Sequence, residues 1–464
     1  MKNLMMFAAL VAAGCSATTS QQAPADTDAG VEADAPTEPE SCEANAFLGC
    51  AGNLAKRCAV DGVTVTQETC DSGCNAGAER CNECDPDAVT CAGGELQTCG
   101  ADGLVATTES CALGCSADKS ACAHVVPAYL PNVCDAPATT SLSITQPAII
   151  DTDNAVTCTG GIAVQAGGPE VCIVHHTSIS ANAKITVRGS RAIAFVADDD
   201  LIGTSDIDVG ANAKTSGPGG GLRVSGAAPT SGGGGGSGGK QRGGNGGGIG
   251  EFGANGGAGG TVFDQFAANS FQGGARALTI PGGSATNPRP TGGGGGGALM
   301  LVACRGILQF DGVIDAGGGG GSGGADINTT STVTLLGGAG GGAGGYIVMQ
   351  GAEVKVNGRM FANGGGGGGG CIVNGCVGRL GDDGQSPTSG GNGAAATGSA
   401  GPGGHGGFGT TPPETAPNNF STPGGGGGST GRIQIFTPAG VAPAINPFAE
   451  ISPPLEPARS VSTR

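Results

Sequence analysis

The chain of 464 residues contains no tryptophan, two tyrosines and 13 phenylalanines, so aromatic side chains can contribute little to a core or to a binding surface. Positive charge is also scarce. Against 21 lysines and arginines stand 38 aspartates and glutamates, which gives a formal charge of −17. Because phosphate backbones repel so acidic a protein, we predict no nucleic-acid partner.

Glycine accounts for 98 residues, roughly three times its usual share. The G-X-Y period of collagen is missing. Since glycine weakens a helix by about 1 kcal/mol per residue relative to alanine, we do not expect a helical core. The sequence contains no Gly-x-x-x-x-Gly-Lys-Ser/Thr motif, and polyglycine satisfies a dinucleotide fingerprint trivially. We therefore predict no cofactor.

The N-terminus has the pattern of an export signal. Lys2 precedes an apolar run at residues 4–13, shorter than the roughly 20 residues that a membrane-spanning helix needs. The run ends in Val11-Ala12-Ala13-Gly14-Cys15, which resembles the lipobox of bacterial lipoproteins except at Ala12, where that family prefers leucine. The resemblance implies a signal peptide at 1–14, acylation of Cys15 and a membrane-anchored protein at the outer membrane or cell surface. An ordinary signal peptide cleaved after Ala13 or Ala17 is the alternative.

Residues 15–41 contain almost no large apolar side chain and several acidic ones. Such a segment cannot offset the entropy lost on ordering, so we predict a disordered acidic stalk.

Two tandem cysteine-rich modules follow, at 42–83 and 84–123. From the second cysteine of each module onward the spacing repeats with an offset of 41 residues. Modules this small cannot bury a self-sufficient core, so about three disulfides in each are expected, although the sequence does not select the pairing. The predicted disulfide cysteines are Cys42, Cys50, Cys58, Cys70, Cys74, Cys81, Cys84, Cys91, Cys99, Cys111, Cys115 and Cys122.

A zinc site is the alternative for Cys81 and Cys84, which have CxxC spacing. Disulfides are favoured because the two cysteines belong to different modules and no histidine lies inside either module. The modules resemble the short cysteine-rich repeats of secreted bacterial surface proteins. This resemblance implies a rigid spacer or a protein-binding unit rather than catalysis.

Residues 134–440 contain short segments rich in valine and isoleucine, without helical periodicity, and therefore predict strands. Three blocks, beginning at Ala192, Leu299 and Ile347, each contain three such strands joined by tight corners. Coils of about twenty residues with three strands predict a parallel β-helix. After each block the chain enters glycine-rich sequence and returns at Ala298, Tyr346 or Arg432, so the three excursions should emerge on one side.

The segments at 297–303 (GALMLVA), 361–364 (FANG) and 428–433 (GSTGRI) resemble a family of glycine-rich, β-helix-like bacterial surface lipoproteins. The resemblance covers residues 134–440 and implies a fold and a surface location, but no reaction. We predict an all-β protein in which two small disulfide-rich modules precede a right-handed parallel β-helix-like solenoid with long glycine-rich excursions. An irregular proline-rich tail is expected at 441–464.

Two interpretations of the glycine runs stay open. Glycine-rich sequence is by default a disordered linker. However, the strand at 299–303 is apolar on both faces, so Met300 and Val302 require cover. Glycine runs packed as extended helices with three residues per turn could supply that cover.

Few residues suggest chemistry, and we predict no catalytic and no metal site. His175 and His176 face opposite sides of a predicted strand, and His124 and His405 are isolated. The aspartates at 198–200, with Asp206 or Asp208, could bind calcium, although a solvated corner is the favoured interpretation. The basic residues near these aspartates in sequence give the best case for a polysaccharide lyase, and they are Lys184, Arg188 and Arg191.

The remaining cysteines lie in the strand-rich region. We predict that Cys158 pairs with Cys172 and that Cys371 and Cys376 close a small loop. Cys134 and Cys304 are left unassigned, and Cys304, at the end of an apolar strand, fits a buried thiol.

The sequence favours a non-catalytic surface protein with a structural or adhesive role, which binds glycans, surface polymers or other surface proteins. A β-helix polysaccharide lyase or hydrolase is one alternative. A protein-interaction role carried by the cysteine-rich modules is the other.

Overall fold

The computed structural model describes residues 41–221, 271–277, 290–324, 326–329, 332–335, 337–372, 378–384, 389–417, 420 and 422–464. The predicted signal peptide with Cys15 and nearly all of the predicted stalk lie outside these residues. The described part is all-β, as predicted, with one 3₁₀ turn at Ala155–Thr157 and no α-helix. The chain divides into two compact units, Met1–Glu83 and Cys84–Arg464.

The first module is a disulfide-linked antiparallel structure. Strand β2 (Leu54–Cys58) pairs with β1 (Phe47–Ala51) and β3 (Val65–Thr69), and β4 (Cys74–Asn75) pairs with β5 (Arg80–Cys81). A turn at Asp61-Gly62 joins β2 to β3, with Gly62 at φ 69°, a value that glycine adopts readily. The disulfides are Cys42–Cys58, Cys50–Cys74 and Cys70–Cys81.

The second module repeats the first. Strands β6 (Val89–Ala92), β7 (Glu95–Cys99) and β8 (Val105–Ser110) form the same antiparallel sheet. The disulfides Cys84–Cys99, Cys91–Cys115 and Cys111–Cys122 follow the same order, first cysteine to third, second to fifth and fourth to sixth. This module belongs to the same compact unit as the strand-rich region.

Residues beyond the second module form three rows of mainly parallel strands. The first row contains β13 (Val171–His176), β16 (Ala192–Ala197), the first half of β19 (Ala298–Phe310), the first half of β23 (Tyr346–Val356), β25 (Arg432–Pro438) and β28 (Arg459–Thr463). The short strands β12 (Gly161–Ala163) and β9 (Val125–Val126) pair antiparallel with β13 and β28.

The second row contains β10 (Leu142–Ile144), β14 (Ile179–Ala181), β17 (Leu201–Gly203), the second halves of β19 and β23, and β26 (Ala444–Ile445). The third row contains β11 (Ala148–Asp151), β15 (Ile185–Arg188), β18 (Ile207–Asp208), β20 (Val313–Asp315), β24 (Arg359–Phe361) and β27 (Ile451–Ser452). A separate hairpin, β21 (Asp326–Thr329) and β22 (Thr332–Leu335), lies within the second excursion.

All three rows share one hydrophobic core. Alternate residues of each strand point into it, for example Ile193, Leu299, Ile347 and Ile433, which occupy one register position of the first row. These side chains are 0% exposed. Burial of each such side chain contributes about 1.5–3 kcal/mol, so stacked apolar positions hold the rows in register.

The opposite face of the first row is also buried. Met300 and Val302 pack in a second core with Val125, Leu130 and Cys134 from the segment after the second module. From the described part of the first excursion, Phe271 joins this core. The glycine runs were expected to cover these side chains, and the structure adds apolar side chains from before the rows to that cover.

The predicted irregular tail at 441–464 is likewise ordered. Its strands β26, β27 and β28 add one strand to each of the three rows. The prediction failed because β26 and β27 are only two residues long and lie between prolines, where a strand has almost no sequence signal.

Each excursion leaves from the third row, after β18, β20 or β24, and returns to the first row at β19, β23 or β25. The predicted common exit is thereby confirmed. The described glycine runs lie side by side and hydrogen-bond to one another. We call the runs 292–297, 317–324, 337–345, 364–370, 378–384, 389–397, 401–407 and 422–428 the glycine bundle.

The run at 364–370 shows the order of the bundle. Its N–H groups at Gly364, Gly367 and Gly370 donate to the carbonyls of Gly407, Gly404 and Gly401. The intervening N–H groups donate in turn to the runs at 337–345 and 378–384, and its carbonyls accept from the runs at 318–324, 389–397 and 422–428. Residues three apart thus face the same neighbour, as in an extended helix with three residues per turn. For these described runs, the linker interpretation is wrong.

Candidate functional site

The third row ends in a corner that two successive coils repeat. Asp208 and Asp315 are register partners on β18 and β20. The carboxylate of Asp208 accepts a hydrogen bond from the N–H of Gly210 at 3.1 Å, and that of Asp315 accepts one from Gly317 at 2.8 Å. In each Asp-x-Gly corner, the aspartate therefore accepts a hydrogen bond from the glycine N–H as the chain turns out of the row.

Asp383, in the third excursion, joins the first two excursions. Its carboxylate accepts hydrogen bonds from the N–H of Ala213 at 3.1 and 3.2 Å and from the N–H of Gly320 at 2.7 Å. Ala213 has a φ of 47°, which is uncommon for a residue with a side chain. Asp383 therefore secures a strained backbone position at the root of the glycine bundle.

The three carboxylates at this corner influence one another. The pKa of Asp315 is raised to about 7, chiefly by burial and also by the charges of Asp208 and Asp383, while the hydrogen bond from the Gly317 N–H and the charge of Lys184 oppose the shift. A proton on Asp315 relieves the repulsion between in-register carboxylates. Near neutral pH the three aspartates therefore do not all carry a full charge.

Beside this corner lies a cavity of about 460 Å³, which we call the corner cavity. Strands β15 and β18 supply Thr186, Arg188 and Asp208, and the start of the first excursion supplies Asn212, Thr215 and Ser216. The cavity therefore presents hydroxyl, amide, carboxylate and guanidinium groups together.

Some polar side chains at the cavity already form hydrogen bonds or ion pairs within the protein, and others do not. The Nζ of Lys184 lies 3.8 Å from a carboxylate oxygen of Asp208, and Ser216 Oγ accepts a hydrogen bond from the Gly295 N–H. The side chains of Thr186, Arg188, Asn212 and Thr215 make no hydrogen bond or ion pair with the residues that the structure describes. Four polar side chains at the cavity are thus available to a ligand.

The histidine and aspartate residues that could have formed a site have partners within the fold. His175 Nε2 lies 2.8 Å from a carboxylate oxygen of Asp198, whose other oxygen accepts the N–H of Ala138 at 2.7 Å. Asp199 pairs with Arg305, and Asp200 accepts the N–H of Ile307. These aspartates are therefore committed to holding neighbouring segments.

The other candidate side chains lie apart from one another. Arg191 contacts Glu170, and Lys184 contacts Asp208. His124 contacts Asp135, and His405 Nδ1 accepts the Gly393 N–H. The basic and acidic groups invoked for a lyase thus pair with different partners. Within the described residues, no cluster of three or more His, Cys, Asp or Glu side chains is arranged to hold a metal ion.

Disulfides are seen at the cysteines predicted to form them, where these are described. Cys81 and Cys84, the zinc alternative, pair with Cys70 and Cys99. Cys158 pairs with Cys172, and Cys371 is disulfide-bonded, whereas Cys376 lies outside the described residues. Cys304 is not a thiol: it pairs with Cys134 across 170 residues and fastens the segment that covers the first row.

Sequence reasoning missed one residue and one disulfide that organise this region. Asp383 stands in a glycine-rich segment with no local pattern, so nothing in the sequence indicates its contacts with Ala213 and Gly320. The Cys134–Cys304 pair had a usable signal, since these were the two cysteines left over from an otherwise even set.

Comparison with family profiles, curated proteins and solved structures found no match to this chain. None of the described residues forms a helix that is long and apolar enough to cross a membrane.

Proposed function

We propose that this protein is an exported, lipid-anchored surface protein with a structural and adhesive role, which binds glycans or other surface polymers without catalysis. The observation that carries the proposal is the hydrogen bonding of the run at 364–370. All its backbone N–H and C=O groups bond to six neighbouring runs, which makes a stiff body almost free of side chains. Such a body suits a structural or adhesive role better than catalysis, because catalysis needs positioned side chains.

The finer architecture belongs to the same proposal. The three rows are the walls of a right-handed parallel β-helix-like solenoid, and the glycine bundle stands on one side of it. In support, the strands visit the rows in the same order in successive coils, and they pair in parallel with a single register shift, between Ala303 and Ile307 of β19.

Export and anchoring rest on the N-terminal pattern and on the cysteines. The lipobox-like segment ends at Cys15. Eight disulfides among the described residues are compatible with an extracellular protein, because disulfides persist in oxidising compartments.

Metabolic labelling with a palmitate analogue tests whether the protein is lipid-anchored at the cell surface. The full chain, expressed in a bacterium that processes lipoproteins, should incorporate the label and become accessible to protease on intact cells. Cys15→Ser should lose the label, while Cys376→Ser is the control that removes a cysteine elsewhere. Equal labelling of wild type and Cys15→Ser would contradict lipid anchoring.

A polymer-retention assay tests adhesion and separates it from catalysis. Purified protein lacking residues 1–15 is passed over immobilised polysaccharides, and the same polysaccharides are assayed for new reducing ends and unsaturated products. We expect retention without products. Product formation would instead establish the lyase or hydrolase alternative.

One observation favours a second role for the first module. Its Leu48, Val60, Val63 and Val65 are 43–80% exposed, which is unusual for several apolar side chains in so small a sheet. Deletion of residues 42–83 tests a protein-binding role: loss of a surface-protein partner from crosslinked cells supports it, and an unchanged partner set opposes it. The second module should be kept, since it belongs to the unit that contains the strand rows.

A further inference from the structure

We propose that the corner cavity is a binding site for uncharged saccharide units of a surface polymer. This inference rests on the adhesive role proposed above and names the place and the chemical class of the ligand.

The available groups match a polyol. Arg188 offers up to five N–H donors, Asn212 offers both donors and acceptors, and the hydroxyls of Thr186 and Thr215 can serve as either. A sugar hydroxyl is likewise donor and acceptor, so adjacent hydroxyls need such a mixed set of partners. The cavity of about 460 Å³ is large enough for a small ligand, since ligand pockets commonly span roughly 300–1,000 Å³.

The charges around the cavity favour a neutral ligand. Lys184 and Arg188 are positive, whereas Asp208 lines the cavity and Asp383 lies at the adjoining corner. Asp151, the register partner of Arg188, adds a further carboxylate. Because nearby carboxylates balance the positive charges, the cavity offers no net attraction to a uronate or a sulfated sugar.

The cavity is also preorganised. Its wall at Gly210 lies against the Asp315 carboxylate, since a Cβ there would come within 3.2 Å of Oδ1. Asn212 and Thr215 close a tight turn, each donating its N–H to the carbonyl of the other at 2.9 Å. Because this wall is already rigid, less conformational entropy is lost when a weakly binding carbohydrate enters the cavity.

The test is calorimetric titration of the purified chain lacking residues 1–15. The probes are maltohexaose, cellohexaose and galactohexaose, with a galacturonic acid hexamer as the charged comparison. We expect saturable binding of at least one neutral hexamer. Arg188→Ala should weaken it about tenfold or more, because hydrogen bonds from a charged donor are the strongest that the site offers.

Arg359→Ala is the matched control, because Arg359 is a half-exposed arginine on β24 of the same row and should leave binding unchanged. Thr186→Val keeps the side-chain shape and removes one hydroxyl, so it guards against misfolding as the explanation. It should also weaken binding.

Binding that survives both Arg188→Ala and Thr186→Val would overturn the cavity assignment and leave the adhesive role intact. Preference for the galacturonic acid hexamer would overturn the neutral class. If no hexamer binds, the inference fails, and polymer retention then decides the adhesive role separately.

Discussion

A single methyl group should disrupt the glycine bundle. In Gly367→Ala, the added Cβ would point at the carbonyl of Gly425, well inside the 3.0 Å that real Cβ atoms respect. The obstacle is backbone on both sides, so no flexible side chain can move away. Gly425 also donates its N–H to Gly368, and Gly428 donates to Gly365, so separating the two runs breaks bonds that hold the bundle.

The expected cost follows from these contacts. Overpacking costs about 1–3 kcal/mol, and each of the two stretched hydrogen bonds adds about 1 kcal/mol. Replacing glycine also stiffens the unfolded chain, which returns about 0.4–1 kcal/mol. The net loss in the free energy of unfolding should therefore be about 2–4.6 kcal/mol.

Denaturant unfolding, combined with hydrogen exchange at the amides of 364–370, provides the measurement. Ala395→Ser is the control, because it adds one heavy atom at an exposed position of the outer run 389–397 and should change stability by less than about 0.5 kcal/mol. Unchanged or increased stability of Gly367→Ala would refute the packing, since glycine-to-alanine replacement in a loose linker is neutral or stabilising.

Two further predictions concern Asp315 and the Cys134–Cys304 disulfide. The folded-state pKa of Asp315, about 7, lies above its ordinary value of 3.8, so the folded protein keeps a proton that the unfolded chain releases as pH rises. Wild-type stability should therefore fall between about pH 4 and 7 by up to roughly 4 kcal/mol, and Asp315→Asn should lack that part of the slope in unfolding experiments at several pH values. Parallel slopes for the two proteins would contradict this. Replacing Cys134 and Cys304 together by serine should cost about 2–4 kcal/mol and raise exchange in the segment after the second module, whereas an unchanged unfolding midpoint would show that packing alone holds the cover.

The strands of the rows were predictable because their signal is local. Ile193 and Leu299 repeat at equivalent places in blocks of β-branched and apolar residues, and alternation within each strand follows from the core. The shared exit was predictable for the same reason, since three glycine runs follow three equivalent strands. Fold class thus required no information about distant contacts.

Features that depend on distant partners were not predictable. Counting leaves Cys134 and Cys304 as the unassigned cysteines, but no local pattern shows that they lie side by side, because 170 residues separate them. Asp383 is one of two adjacent aspartates between glycines, and only the packing of three runs brings it to Ala213. The pairing order within the modules is a further case, since compact six-cysteine segments permit many connections.

The candidate site was predictable in part. Arg188 and Lys184 lie near Asp198 in sequence, but the structure pairs Asp198 with His175. The sequence position of Asp208 suits a calcium ligand, whereas the structure places this residue in the lining of the corner cavity. Asn212 lies in the sequence Ala-Asn-Ala-Lys at 211–214, which also occurs at 181–184, but only the turn that it forms with Thr215 reveals its place beside Arg188.

The three-residue repeat of the glycine bundle also sets a rule for how its length can vary. An insertion of three glycines in one run would add a full turn of about 9 Å and leave every residue beyond it facing its former neighbour. An insertion of one glycine would rotate the rest of the run by a third of a turn and mismatch every donor with its acceptor. Natural variation in the length of these runs should therefore occur in steps of three residues, because only such steps keep each remaining donor opposite its acceptor.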